Sequence, residues 1–212
     1  MLADHLGYLY LDTGCMYRAV TLAALEEEIE VEDETAVTHL AAAVQIDIRP
    51  AGKHDDGRQY TVLLNGRDVT WAIRAPAVDA NVSQVSSYAG VRAEMVRRQR
   101  EFGRRGRVVM VGRDIGTVVM PDAAVKLYVT AAAAERARRR WRDRQAQGHT
   151  NGYETILAEV ERRDQIDSTR AHSPLRPAAD AILVDTTARP PAAVLDAILE
   201  LLPHPVNAGE HR

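Results

Sequence analysis

The sequence is poor in cysteine, lysine and aromatic residues. Its single cysteine, Cys15, excludes an intrachain disulfide and a zinc site built on paired cysteines. The histidines follow neither an HxH nor an HExxH spacing, so no metal site is predicted. Aromatic residues make up only 5% of the chain, which leaves little material for the stacking platforms that bind nucleic acid bases.

Long hydrophobic runs are also missing. No uncharged apolar stretch approaches the ~20 residues that a membrane-spanning helix needs. No charged-then-apolar leader opens the sequence, which predicts a cytoplasmic protein rather than a secreted one. The chain otherwise has an ordinary globular composition, with 212 residues, 46% hydrophobic and 27% charged. Its net charge of −3 gives no general attraction to polyanions, and its composition excludes collagen-like and wholly disordered chains.

The basic residues are arginines almost without exception. Only Lys53 and Lys126 are lysines among the 27 basic side chains, and the arginines concentrate at 92–107 and 136–144. Guanidinium groups bind phosphate through two parallel hydrogen bonds, so these clusters suit a phosphorylated ligand. The plainer interpretation is a set of charged, solvated helix faces. Binding of nucleic acid through the arginines at 97–107 is a further alternative, which predicts steep salt dependence.

Short apolar runs alternate with helical segments along most of the chain. Strands are predicted at 8–11, 108–111, 125–129 and 181–184, and helices at 16–25, 34–43, 75–87, 89–104, 131–147, 151–169 and 190–202. This alternation predicts an α/β fold with a mainly parallel sheet and helices on both faces. Residues 44–88 interrupt the alternation with β-rich segments and the turn signal Asn65-Gly66, which predicts a small antiparallel insert.

Candidate ligand-binding residues follow two of the predicted strands. In an open parallel sheet, ligands bind beyond the carboxyl ends of the strands. Asp12-Thr13-Gly14 and Gly112-Arg113-Asp114 fall at such ends, and Arg18 lies about one helical turn beyond the first of them. The tetrapeptide 11–14 also matches a short aspartic-protease signature. The chain has no second copy of it to complete the carboxylate pair, and strand–helix alternation is wrong for an all-β protease.

Six segments occur together in an order that resembles bacterial cytidylate kinases. They are LDTGCMYRAV, LNGRDVTWAIR, NVSQVSS, VRAEMVRRQR, GRDIGTVVMPDA and ERRDQIDSTR. The resemblance runs from about residue 1 to residue 202 and implies a P-loop-kinase-like fold of the nucleoside monophosphate kinases. It implies one domain with a nucleotide-binding insert at 44–88, a lid-like segment at 131–150 and a tail at 203–212. The implied reaction transfers the γ-phosphoryl group of ATP, with Mg²⁺, to CMP or dCMP.

The resemblance also implies roles for single residues. The residues expected to bind CMP are Thr13, Arg18, Ser83, Arg92, Arg113, Asp114, Arg163, Asp167 and Arg170. Arg18 and Arg113 would hold the acceptor phosphate and act in catalysis. Ser83, Arg92 and Asp114 would recognise cytosine, whose N4 amino group donates to a carboxylate where uracil has an acceptor.

The remaining expected contacts lie in the last third of the chain. Spacings of four and three residues place Arg163, Asp167 and Arg170 on one helix face, where they form either a ladder of ion pairs or a binding site. The resemblance assigns Asp167 and Arg163 to the ribose hydroxyls and Arg170 to phosphate or sugar. Arg136 and Arg140 would cover ATP, and the two arginines between them, at 138 and 139, compete for that role.

Two features of the family pattern have no match. The segment GxxxxGK[ST], whose backbone N–H groups and lysine bind phosphates, does not occur in the 212 residues. Val111 stands where the family has an acidic residue near the metal. Together these departures predict a loss of roughly three decades or more in rate. A missing first strand predicts an unstable monomer, so the chain would be either incompletely annotated at its start or completed by a partner. The alternative function is a module that binds pyrimidine nucleotides without catalysis.

Overall fold

The computed structural model describes residues 1–146, 148, 150–169 and 175–202. The elements in chain order are α1 Leu2–Leu6, β1 Leu9–Asp12, α2 Gly14–Glu26, α3 Glu34–Ala43, β2 Ile46–Pro50, β3 Tyr60–Leu64, β4 Arg67–Asp68, a 3-10 helix Ala72–Arg74, α4 Pro76–Val85, α5 Ala89–Arg104, β5 Val108–Val111, a π-helix Ile115–Val119, β6 Leu127–Thr130, α6 Ala133–Ala146, α7 Tyr153–Thr169, β7 Ile182–Asp185 and α8 Pro191–Leu201. They divide into a first compact unit, residues 1–121, and a second unit that holds the described residues from 122 onward. No helix among them is both long and apolar enough to cross a membrane.

The first unit is built around a parallel strand pair and the helix that follows its first strand. β1 pairs with β5 in a register that runs from Leu9 opposite Val108 to Asp12 opposite Val111. Helix α2 starts two residues after β1 ends and is apolar nearly all round, so most of it is buried. Residues such as Leu11 and Met16 are fully buried and lie at the centre of the core.

An antiparallel sheet forms the predicted insert. β2 pairs with β3 over five residues, and β3 pairs with the short β4. Asn65 and Gly66 join β3 to β4 with φ angles of 50° and 80°, the left-handed conformation that a tight hairpin turn requires at both positions. The turn signal in the sequence therefore predicted this hairpin correctly.

The second unit contains the other parallel pair and a helical hairpin. β6 pairs with β7 from Leu127 opposite Ile182 to Thr130 opposite Asp185. Helices α6 and α7 pack through a small apolar cluster whose buried members are Ala137, Ile156 and Val160. The strand pair leaves Leu183 65% exposed, so the apolar character of this run does not translate into burial within the unit.

The α/β class and the small antiparallel insert are confirmed. The predicted strands form within two residues of the expected bounds, and 89–104 and 108–111 match α5 and β5 at both ends. The 3-10 helix and the π-helix were not predicted. The organisation as one domain with a lid stays a prediction, and the tail at 203–212 lies outside the described residues.

Candidate functional site

The carboxyl ends of β1 and β5 are tied together by Thr13. Its backbone N–H and its hydroxyl both donate to the carbonyl of Val111, at 2.9 and 3.0 Å. Asp12 fixes the turn into α2, because its Oδ1 accepts from the N–H of Gly14 at 3.0 Å. A Cβ on Gly112 would lie 2.4 Å from the Thr13 hydroxyl oxygen, so only glycine fits there. The two predicted motifs therefore meet at one edge of the strand pair.

A buried ion pair joins this edge to α5. Arg92 and Asp114 are 7% and 6% exposed, and the Arg92 Nη2 donates to Asp114 Oδ2. The Arg92 Nη1 donates to the carbonyl of Ser86 at 3.2 Å, and its guanidinium lies 5.6 Å from the ring centre of Tyr17. A buried charge pair needs such extra partners to offset its desolvation. The carboxylate of Asp114 is thereby held in one orientation.

Arg18 points toward the insert side of the same unit. Its Nη1 donates to the carbonyl of Ile73 at 3.0 Å and lies 2.6 Å from Asp79 Oδ1. Ser83 is exposed on α4, one helical turn beyond Asp79 and on the same face. Arg113 is half-buried directly after the glycine that packs on Thr13. The structure thus brings Thr13, Arg92, Arg113 and Asp114 to one edge, with Arg18 and Ser83 on the neighbouring helices.

Tyr60 and Arg74 belong to this neighbourhood although the sequence did not single them out. The Tyr60 hydroxyl lies 3.5 Å from Asp12 Oδ2 and accepts from Arg74 Nη2 at 3.3 Å. Burial, and then the nearby Cys15 and Asp12, raise the pKa of Tyr60, so the phenol stays protonated. Arg74 lies within the segment LNGRDVTWAIR that carried the resemblance, but no local pattern marks Tyr60.

The arginines of α6 differ in their partners. Arg136 forms two hydrogen bonds to the carboxylate of Asp164, at 2.8 and 2.5 Å. Arg138 and Arg139 both pair with Glu135, at 2.6 and 3.0 Å. Three of the four arginines that compete for the expected ATP contact therefore have a carboxylate partner within the unit, and two of them share Glu135.

Arg140 is the exception on this helix. Its side chain is partly buried and makes no hydrogen bond or ion pair with any residue that the structure describes. Burial, and then the positive charges of Arg163 and Arg144, lower the pKa of Arg140 against the opposing charge of Glu159. Since a guanidinium stays charged under these conditions, the arrangement favours an added anion.

The expected ribose contacts lie on α7. Arg163 is exposed, and Asp167 follows it by four residues on the same helix face. Arg170 lies outside the described residues. These positions agree with the predicted helix and leave the proposed contacts as predictions.

Two of the six arginines at 97–107 are used inside the protein. Arg98 donates to the carbonyls of Val44 and Ala41 at 2.6 and 2.9 Å. Arg100 donates to the carbonyls of Val119 and Val118 at 3.0 and 2.7 Å. These two side chains anchor α5 to its neighbours. The other four arginines of the stretch are exposed, so the alternative of a nucleic-acid surface here stays a prediction.

Arginines and a buried aspartate at the carboxyl ends of parallel strands are the arrangement expected of an α/β protein that binds a phosphorylated ligand. The family profile described as "Cytidylate kinase" matches residues 1–204. The chain is 48% identical to the cytidylate kinase of Chloroflexus aggregans over 211 residues, which cover 100% of this chain and 90% of that protein. It is 45% identical to that of Herpetosiphon aurantiacus over 202 residues, covering 95% and 86% of the two chains.

A third relative, the cytidylate kinase of Carboxydothermus hydrogenoformans, is 48% identical over 202 residues, which cover 95% of this chain and 89% of that protein. The chain belongs to the cytidylate kinase family, and its function is that of a cytidylate kinase. The aspartic-protease alternative is therefore wrong. Asp12 ends a strand that leads into a helix, and its carboxylate is bonded to Gly14 and Tyr60.

Proposed function

We propose that the first unit binds the cytosine base of CMP or dCMP with Ser83, Arg92 and Asp114. The observation that carries this proposal is the buried Arg92–Asp114 pair at the edge where β1 and β5 end. A carboxylate held in place by a buried guanidinium accepts a hydrogen bond from the cytosine N4 amino group. Uracil presents an oxygen there, and the two acceptors would repel each other.

The acceptor phosphate is assigned to Arg18 and Arg113, with Thr13 beside them. Asp79 and the carbonyl of Ile73 orient Arg18 through one nitrogen, which leaves its other donors for a ligand. Guanidinium groups at this position hold the acceptor in place and screen the repulsion between two approaching anions. The roles of Arg163, Asp167 and Arg170 at the ribose and phosphate stay predictions from the family resemblance, as does a cytoplasmic location.

ATP is the proposed phosphoryl donor, and Arg140 is its best-supported contact on α6. The half-buried guanidinium has no hydrogen bond or ion pair with a described residue, and the positive charges of Arg163 and Arg144 outweigh the negative charge of Glu159 near it, so phosphate oxygens fit its chemistry. Arg136, the other expected contact, would have to exchange Asp164 for phosphate. The described residues contain no group of three metal ligands. A kinase Mg²⁺ takes most of its ligands from phosphates and water, so we assign no residue to it.

Turnover by these 212 residues is proposed to be impaired. Val111 is 44% exposed in register with Asp12, where it offers no polar atom to a nucleotide. A coupled assay and calorimetry with CMP and ATP test this proposal. Rates of about 1–100 s⁻¹, the usual range for kinases, would contradict it. CMP binding without ATP binding would favour the pyrimidine-nucleotide-binding module.

Calorimetry also tests the proposed base recognition. We expect CMP to bind at least about tenfold more tightly than UMP, because one polar mismatch at a buried acceptor costs a factor of this order. Ser83→Ala, on an exposed helix face, weakens CMP binding several-fold, whereas Ser87→Ala on the same segment leaves it unchanged. Equal affinities of the unmodified protein for CMP and UMP would overturn the assignment.

A further inference from the structure

One arginine of α5 holds the last turn of the segment that follows Asp114. The Arg100 Nε donates to the carbonyl of Val119 at 3.0 Å, and its Nη2 donates to the carbonyl of Val118 at 2.7 Å. Both carbonyls belong to the π-helix Ile115–Val119, which begins directly after Asp114. Because a guanidinium presents its donors in a planar fork, two hydrogen bonds to adjacent carbonyls fix the direction of these peptide groups.

The same two residues connect Arg100 to the backbone of Asp114. The N–H groups of Val118 and Val119 both donate to the carbonyl of Asp114, at 2.8 and 3.2 Å. The peptide group between Val118 and Val119 therefore accepts from Arg100 through its carbonyl and donates to Asp114 through its N–H. Hydrogen bonds that run through one peptide group polarise and strengthen each other. Loss of the Arg100 contacts is thus expected to shift the Asp114 backbone.

Helix α5 contacts this segment at both of its ends. Arg92, about two turns of α5 before Arg100, pairs with the Asp114 carboxylate. Gly103, three residues after Arg100, lies against the residue that ends the π-helix, since a Cβ there would be 2.5 Å from Met120 Sδ. The first contact holds the Asp114 side chain, and the later ones hold the backbone that follows it.

The segment between these contacts is a π-helix, a rare conformation that occurs mostly as a single turn and often at functional sites. Its hydrogen bonds reach five residues along the chain, as from the Met120 N–H to the Ile115 carbonyl at 2.7 Å. The last carbonyls of a helix have no partners within that helix. Arg100 supplies partners to two of them, so a side chain of α5 stabilises the end of this turn.

We propose that Arg100 is a positioning residue for base recognition, which holds the π-helix so that the Asp114 carboxylate stays where the cytosine amino group meets it. The inference rests on the proposed contact between Asp114 and cytosine. Arg100 itself touches neither the base nor the phosphate in this assignment. Its contribution is to specificity, because an acceptor distinguishes an amino group from a carbonyl oxygen only when the acceptor is fixed in place.

The preference for CMP over UMP, measured by calorimetry as the ratio of their dissociation constants, tests this role. CMP and UMP carry the same phosphate, so the loss of a positive charge affects both ligands and cancels in the ratio. Arg100→Gln should lower the preference about threefold to tenfold, the range for a residue that acts through another one. Arg100→Lys keeps the charge and a donor for one of the two carbonyls, so it should retain part of the preference that Arg100→Gln loses.

Arg98→Gln is the matched control on the same helix. Arg98 also donates to two backbone carbonyls, those of Val44 and Ala41 at 2.6 and 2.9 Å, but these lie at the end of α3. Its replacement should lower the melting temperature at least as much as Arg100→Gln, because Arg98 also pairs with Glu94, and should leave the preference for CMP unchanged. Equal losses of preference in the two variants would show that any loosening of α5 lowers it, and would overturn the positioning role.

The remaining outcomes distinguish failure of the inference from failure of the proposed base site. If the unmodified protein prefers CMP and Arg100→Gln keeps that preference in full, the inference alone is overturned. If the unmodified protein binds CMP and UMP equally, the proposed base contact is wrong and the role of Arg100 falls with it. If Arg100→Gln does not fold, Arg100→Lys decides, and an undiminished preference for CMP at a lowered melting temperature would overturn the inference.

Discussion

The arginines of the two units are held in opposite ways. In the first unit, Arg92 is buried against Asp114 and its remaining donors are used by neighbouring groups. In the second unit, Arg140 is half-buried next to other arginines and has no partner among the described residues. The charge of Arg92 is compensated within the protein, and the pair holds the Asp114 carboxylate in place for the proposed base contact. The charge of Arg140 has no carboxylate paired with it among the described residues, which favours an anionic ligand.

The largest effect is expected when the carboxylate of the Arg92–Asp114 pair is removed. Asp114→Asn leaves the Arg92 charge buried without a counter-charge, which costs about 3–5 kcal/mol of unfolding free energy. Denaturant unfolding with constant m-value measures the loss. Glu101→Gln is the control, since its partner Arg97 is exposed and such surface pairs contribute about 0–1 kcal/mol. A similar small loss for both variants would show that the Arg92–Asp114 pair is not a structural element.

A smaller effect tests how tightly the edge of the first unit is packed. Gly112→Ala places a methyl group 2.4 Å from the Thr13 hydroxyl and 2.7 Å from Ile115, so the turn must shift. Overpacking of this kind costs about 1–3 kcal/mol. Gly152→Ala in the second unit is the control, because a Cβ there meets nothing within 4 Å. Equal melting temperatures for Gly112→Ala and Gly152→Ala would show that side chains pack no more closely around Gly112 than around Gly152.

Local signals in the sequence were sufficient for most elements. Apolar runs marked the four parallel strands, and Asn65-Gly66 marked the hairpin of the insert. The 3-10 helix Ala72–Arg74 was missed because contacts distant in sequence accompany it, including the bond from Arg18 to Ile73 55 residues away. The π-helix Ile115–Val119 was missed for a similar reason, because Arg100 donates hydrogen bonds to the carbonyls of its residues Val118 and Val119.

The hydrogen-bond and ion-pair partners of individual side chains could not be predicted from the sequence. Motif order placed Thr13, Arg113 and Asp114 in one neighbourhood, but nothing in the pattern paired Tyr60 with Asp12, 48 residues apart. The choice among the arginines of α6 was open for the same reason. Four arginines within five residues point around most of the circumference of a helix. Only the positions of Glu135 and Asp164 show which guanidinium has no ion pair among the described residues.

A test on the second unit removes the charge of Arg140. Arg140→Gln should leave the unfolding free energy unchanged or raise it by up to about 0.5 kcal/mol, because like-charge repulsion with Arg163 and Arg144 is relieved. ATP affinity measured by calorimetry should fall several-fold. Arg142→Gln, an exposed residue of the same helix, should leave ATP affinity unchanged. A loss of stability in Arg140→Gln would contradict the proposal that Arg140 serves to bind an anion.

The smallest expected effect concerns Arg58 in the insert, which is compensated like Arg92 but by exposed carboxylates. Hydrogen bonds from Arg58, and then from Thr70, lower the pKa of Asp68 from 3.8 to about 2. Because the folded pKa is lower than the unfolded one, the stabilisation is complete above about pH 4 and is lost as the pH falls toward 2. Asp68→Asn should therefore lower the melting temperature slightly at pH 6 and match the unmodified protein near pH 2. Asp55→Asn, in the loop between β2 and β3, should follow the unmodified protein throughout. A pH-independent difference for Asp68→Asn would show that the charge of Asp68 is not what stabilises the insert.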